Sequence, residues 1–71
     1  MDTNKNEKIR KELGKKIRAA RENAKLTQAE VATLAGMDLN YYARIERGLG
    51  NPSYEKLHSI LKVLKVDSFT I

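Results

Sequence analysis

An all-α fold, a compact bundle of four or five short helices, is predicted by three observations. Apolar residues recur at three- and four-residue spacing in four separate segments, the period of an α-helix with one buried face. Helix punctuation stands between those segments: Thr27, Asp38 and Ser53 as start residues, and Gly36 and the run Gly48-Leu49-Gly50-Asn51-Pro52 as breaks. No segment shows a convincing alternation of period two, so no strand is expected.

The first helix starts near Asn4 or Asn6, either of which can cap it, and ends around Asn23 to Lys25; Met1 to Lys5 is polar and expected to fray. Ile9, Leu13, Ile17, Ala20 and Ala24 form its apolar stripe. Gly14 interrupts it at a cost of ~1 kcal/mol relative to alanine, which suggests a close approach to another backbone. The second helix runs about Gln28 to Ala35. Thr27 caps it and Glu30 completes a capping box, with Val31, Leu34 and Ala35 as the apolar stripe. Gly36 then supplies the positive φ that a tight turn between helices needs.

The third helix, about Leu39 to Arg47, is capped by Asp38 and turns Tyr42 and Ile45 inward. Its other face carries Asn40, Tyr41, Arg44 and Arg47. An exposed helix bearing an amide, a phenol and guanidinium groups suits the major groove of DNA. The fourth helix is capped by Ser53, or by Asn51 with Pro52 in the first helical position. Leu57, Ile60, Leu61 and Leu64 give it the clearest helical spacing in the chain. A fifth short turn capped by Asp67 or Ser68 would use Val66, Phe69 and Ile71.

Seventy-one residues suit one small domain, 1–71, whose core must use most of its long apolar side chains. The chain has no cysteine, which excludes disulfides and thiolate zinc sites and fits a reducing cytoplasm. No apolar run approaches membrane-spanning length, and residues 1–12 hold no apolar signal region, so a cytoplasmic protein without membrane contact is expected. The net charge of +5 is uneven: residues 1–25 carry nine basic against four acidic groups, and the rest is near balance. A basic balance predisposes a small protein toward polyanions, although a basic face also serves solubility alone.

The ordered set LGKKIRAARE, LTQAEVATLAGM, IERG and NPSYEKLHSILKVLKV resembles the Cro/phage-repressor-like helix-turn-helix family, also called the xenobiotic-response-element type. The match runs from Leu13 to Val66, and DLNYYARIERGLGNPS is also similar to controller proteins of restriction–modification systems. The resemblance implies a lambda-repressor-like bundle in which helices two and three form the helix-turn-helix and the third enters the major groove. It implies regulation of transcription and a homodimer on an inverted-repeat DNA operator. Leu39, Asn40 and Arg44 fall where base-reading side chains project. Thr27, Gln28, Tyr41 and Arg47 fall against phosphates, and the Gln28 amide would also brace a side chain of the third helix. Arg21 and Glu46 match a buried structural ion pair.

Three departures from the family pattern stand out. Lys25 occupies a left-handed position that usually holds glycine, Asp38 places a negative charge near the expected DNA, and the sequence contains only the start of a fifth helix that often carries the dimer contact.

The chemistry agrees residue by residue. A guanidinium at Arg44 pairs with guanine O6 and N7, the Asn40 amide with adenine N6 and N7, and Leu39 can touch a thymine methyl. The plain alternatives are an arginine solvated or paired with Glu46 or Asp38, a polar residue in a first helical turn, and a partly exposed leucine. Lys8, Lys11, Lys15 and Arg18 form a basic stripe that can reach flanking phosphates or an acidic partner, although its plain reading, and the favoured one, is a solvated face. His58 is the single histidine, so no transition-metal site is expected, and no catalytic constellation, cofactor or small-molecule ligand is suggested. The competing function is an antitoxin or other protein-interaction module of the same fold; a third is non-specific packaging of nucleic acid.

Overall fold

The computed structural model describes residues 3–66, with side chains from residue 6 onward. It contains α1 (Thr3–Asn23), α2 (Gln28–Leu34), α3 (Leu39–Glu46) and α4 (Tyr54–Leu64). The third helix packs against both α1 and α2, and α4 closes the bundle against α2 and α1. The core is built from Ile17 of α1, Val31 and Ala32 of α2, Tyr42 and Ile45 of α3, and Ile60, Leu61 and Leu64 of α4.

Two expectations change. The first helix begins at Thr3, so Asn4 and Asn6 both lie inside it rather than at its cap, and residues 3–5, expected to fray, belong to it. At 21 residues it spans about 31 Å and outruns the three shorter helices, which leaves Ile9 53% exposed while Ile17 is fully buried. In α2 the inward face is Val31, Ala32 and, partly, Ala35; Leu34 points outward at 64% exposure. A seven-residue helix has only two turns, and the face it buries is set by its packing on α3 and α4 rather than by where its largest side chain lies. The fifth turn expected around Asp67 and Ser68 lies outside the described residues.

The helix ends follow one rule. After each helix one residue takes positive φ: Lys25, Gly36, Gly48 and Lys65. Each is followed by an apolar residue whose N–H reaches back to the helix: Leu26 to Arg21, Met37 to Ala32, Leu49 to Arg44 and Val66 to Leu61, at 2.9–3.2 Å. Paired bonds from Lys25, Gly36, Gly48 and Lys65 to the carbonyls three residues earlier complete four Schellman motifs. Between α1 and α2, and between α2 and α3, the next residue is already the following N-cap. Thr27 accepts from the Glu30 N–H while its own N–H donates to the Glu30 carboxylate, and Asp38 accepts from the N–H groups of Asn40 and Tyr41. Four residues thus join each pair of helices, and the last three of each, Lys25-Leu26-Thr27 and Gly36-Met37-Asp38, are committed to the turn and the next cap. Before α4 the longer loop ends at Ser53, whose hydroxyl accepts from the Lys56 N–H, so Pro52 stays outside the helix.

Gly14 explains its own presence in mid-helix. A Cβ there would collide with the carbonyl oxygen of Glu46 and lie 2.6 Å from that of Ile45. The helix interior accepts the glycine because α1 lies directly on the backbone of α3. Gly14→Ala should therefore destabilise the protein by about 2 kcal/mol, because forcing two backbones apart outweighs the ~1 kcal/mol gain in helix propensity. The urea midpoint would report it; a midpoint at or above that of the parent would contradict the close approach.

Candidate nucleic-acid interface

The third helix is held from behind by a single carboxylate. Glu46, only 7% exposed, receives the Arg21 guanidinium through Nε at 2.6 Å and Nη2 at 3.2 Å. The Tyr42 hydroxyl donates to it at 2.5 Å and the Gln28 amide at 2.9 Å. Arg21 also donates through Nη1 to the Leu26 carbonyl at 3.0 Å, in the turn that leads to α2. One acid thus joins α1, α2 and α3. No buried side-chain polar atom among the described residues lacks a partner, as a buried charge requires.

The protonation states follow from this geometry. Burial opposes ionisation of Glu46, but the donors Arg21, Tyr42 and Gln28 outweigh it and hold the carboxyl below its ordinary value. The hydrogen bond to Glu46 raises Arg21 further. Burial, and then the bond to Glu46, pushes the Tyr42 phenol well above the usual tyrosine range. All three stay in the form that makes the network throughout the neutral range.

On the outer side of α3, Leu39 is 44% exposed, and Asn40, Arg44 and Arg47 are exposed too. Among the described residues the Asn40, Arg44 and Arg47 side chains have no hydrogen-bond or ionic partner. Arg44 is thus not paired with Asp38 or Glu46; both carboxylates are already engaged, Asp38 by the first turn of α3 and Glu46 by its donors. Tyr41 is half-buried against the core, with the Lys56 ammonium 5.7 Å above its ring, and so offers only its outer edge. The Thr27 hydroxyl accepts in the cap and keeps its O–H as a donor, and Gln28 spends one amide N–H on Glu46 and keeps the other.

Thr27, Gln28, Leu39 and Arg47 come together as the lining of one shallow, open depression, which Arg18 of α1 shares. Asn40, Tyr41 and Arg44 do not line it; they lie between Leu39 and Arg47 along α3 but project from another part of its circumference. Two features escaped the sequence reading. The Tyr42 hydroxyl is a partner of Glu46, for which the signal was available: a buried tyrosine needs an acceptor, and Glu46 lies one turn ahead of it. Arg18, treated there as one with Lys8, Lys11 and Lys15, is set apart from them because it opens onto the same depression as the α2 and α3 residues. No periodicity argument could place it so, because the arrangement depends on how α1 crosses α3.

Comparison with known proteins is consistent with this architecture. A family model described as helix-turn-helix matches residues 17–70. An uncharacterised HTH-type transcriptional regulator of Mycobacterium tuberculosis, from strains CDC 1551 and H37Rv, is 36% identical over 55 residues, covering 78% of this chain and 39% of the relative. The immunity repressor protein of Bacillus phage phi105 is 37% identical over 54 residues, covering 76% of this chain and 38% of the relative. The chain therefore spans about two fifths of the length of these relatives.

Loss of the Glu46 charge tests the hub. Glu46→Gln should cost roughly 3–5 kcal/mol at neutral pH, because it leaves the Arg21 cation without its counter-ion. The lowered carboxyl stabilises the fold fully above the unfolded-state value of ~4.3, and that contribution disappears as pH falls through the lower folded-state value. The stability gap between parent and variant should therefore close below about pH 4 in urea titrations run at successive pH values; a gap independent of pH would contradict the assignment.

Proposed function

Because the chain belongs to the helix-turn-helix family, we propose that it is a sequence-specific double-stranded DNA-binding domain of a transcriptional regulator, with α3 as the helix that enters the major groove. The observation that carries this reading is the contrast between the two sides of α3. Its inner side is locked through Glu46 to both neighbouring helices, while its outer side offers Leu39, Asn40 and Arg44 with no protein partner among the described residues. Rigid presentation of unsatisfied donors is what base readout needs, since side chains already engaged elsewhere would have to be released first.

In this reading Arg44 pairs with a guanine, Asn40 with an adenine, and Leu39 meets a thymine methyl. Thr27, Gln28, Tyr41 and Arg47 face phosphates and set the register of the helix on the duplex. Asp38 does not oppose the approach strongly, because its carboxylate is already engaged by two backbone N–H groups of α3. Relatives described as a transcriptional regulator and an immunity repressor support regulation of transcription as the setting. A homodimer would place two copies of α3 about 34 Å apart, one DNA turn, and would select an inverted repeat.

Selection of bound duplexes from a random pool tests the reading directly, with enrichment of one sequence expected and the absence of any enrichment against it. On the selected site, Arg44→Ala should weaken binding by ~1–3 kcal/mol and relax one base position, visible when each position is varied in turn. Arg47→Ala should instead weaken all sequences alike and reduce the slope of log affinity against log salt by about 1. An Arg44→Ala protein with unchanged base preference would remove Arg44 from the reading surface.

A further inference from the structure

Arg18 differs from the other exposed cations of α1. Lys8, Lys11 and Lys15 share its helical stripe, yet of these four only Arg18 lines the depression formed with Thr27, Gln28, Leu39 and Arg47. Arg21 also borders it, but its charge is spent on Glu46. The depression therefore holds two guanidinium groups not neutralised within the core, Arg18 from α1 and Arg47 at the C-cap of α3, together with Thr27 and Gln28 at the start of α2. Arg18 is 64% exposed and donates only its Nε–H to Glu22, at 3.3 Å on the same helix. Its two terminal NH2 groups have no partner among the described residues. Those are groups that a phosphate can accept from.

We propose that Arg18 is a phosphate-contacting residue of the DNA interface, and that Glu22 is an internal competitor that restrains it. The inference rests on the reading of α3 as the groove helix and extends the footprint to the first helix. A phosphodiester seated in the depression lies between Arg18 and Arg47 and bridges elements separated by 29 positions in the chain. Glu22 acts as a resident anion. In the free protein it holds the Arg18 guanidinium along α1; in the complex it must share or surrender that group. Arg18 then adds affinity and salt dependence without adding base preference, because a phosphate contact carries no sequence information.

The test is a set of DNA-binding titrations at several salt concentrations with the selected duplex and a scrambled one. The proteins are the parent, Arg18→Ala, Glu22→Gln, the double variant, and Lys8→Ala as a charge-matched control on the same helix. Arg18→Ala is expected to weaken binding to both duplexes by a similar factor and to lower the salt slope by about 1, with a much smaller effect from Lys8→Ala. Glu22→Gln is expected to tighten binding about 1.5- to 5-fold, the range of an exposed ion pair, and the gain should vanish when Arg18 is absent. Both residues are exposed, and unchanged thermal midpoints would verify that the variants are folded. If the parent binds the selected duplex but Arg18→Ala matches Lys8→Ala in affinity and slope, Arg18 lies outside the interface and the inference falls while the assignment of α3 stands. A Glu22→Gln gain that persists without Arg18 overturns the competitor role. Failure of the parent to bind any duplex at low salt overturns the reading of α3 itself, and this inference with it.

Discussion

The carboxylate of Glu46 is the constraint on which this small protein turns. A buried charge is tolerable only when its lone pairs are filled, and here Arg21, Tyr42 and Gln28 fill them from three helices. The arrangement does more than neutralise a charge. Apolar contacts are non-directional, whereas a bidentate ion pair with two further donors has one good geometry. The position of α3 against α1 and α2 is thereby set by directional bonds near its C-terminal end, and by the two backbone N–H groups that fix Asp38 at its N-terminal end. The outer side of α3 inherits that rigidity.

The helix ends show how few residues the architecture spends on connection. A left-handed residue, an apolar one and a cap suffice to leave one helix and enter the next. Glycine fills the left-handed position after α2 and α3, but lysine does so after α1 and α4. Backbone strain of about 1–2 kcal/mol is thus carried at two exposed positions, and the apolar residues behind them, Leu26 and Val66, pack onto the core and help hold the turns in place.

Much of this was legible in the sequence. The four helices, the three caps at Thr27, Asp38 and Ser53, and the burial of Tyr42, Ile45, Ile60, Leu61 and Leu64 follow from spacing and cap chemistry, which are local properties. The outward setting of Asn40 and Arg44 follows from the same helical geometry. What spacing could not supply was anything decided by how helices cross. Leu34 belongs to an apolar stripe yet faces outward, because two turns of helix leave the choice of buried face to the neighbours. Arg18 lies in a uniform basic stripe yet opens onto residues of α2 and α3. The Arg21–Glu46 pair spans 25 positions, so a family resemblance could suggest it while periodicity could not. Gly14 was intermediate: its cost within a helix announced a close contact, but not which backbone supplied it.

That contact has a counterpart. Where Gly14 of α1 lies on the carbonyls of Ile45 and Glu46, the residue just beyond α3, Gly48, lies on the backbone of α1, and a Cβ there would stand 2.7 Å from the Lys11 Cα. The two segments touch main chain to main chain at two points, about one helical turn apart on each. Main-chain thickness does not vary from one sequence to another, so these points act as a gauge block between the two helices. Drift in the size of core side chains would be accommodated largely toward α4, while the pitch of α3 stays fixed to α1. A lineage could then exchange the residues on the outer side of α3 without having to re-aim the helix that carries them.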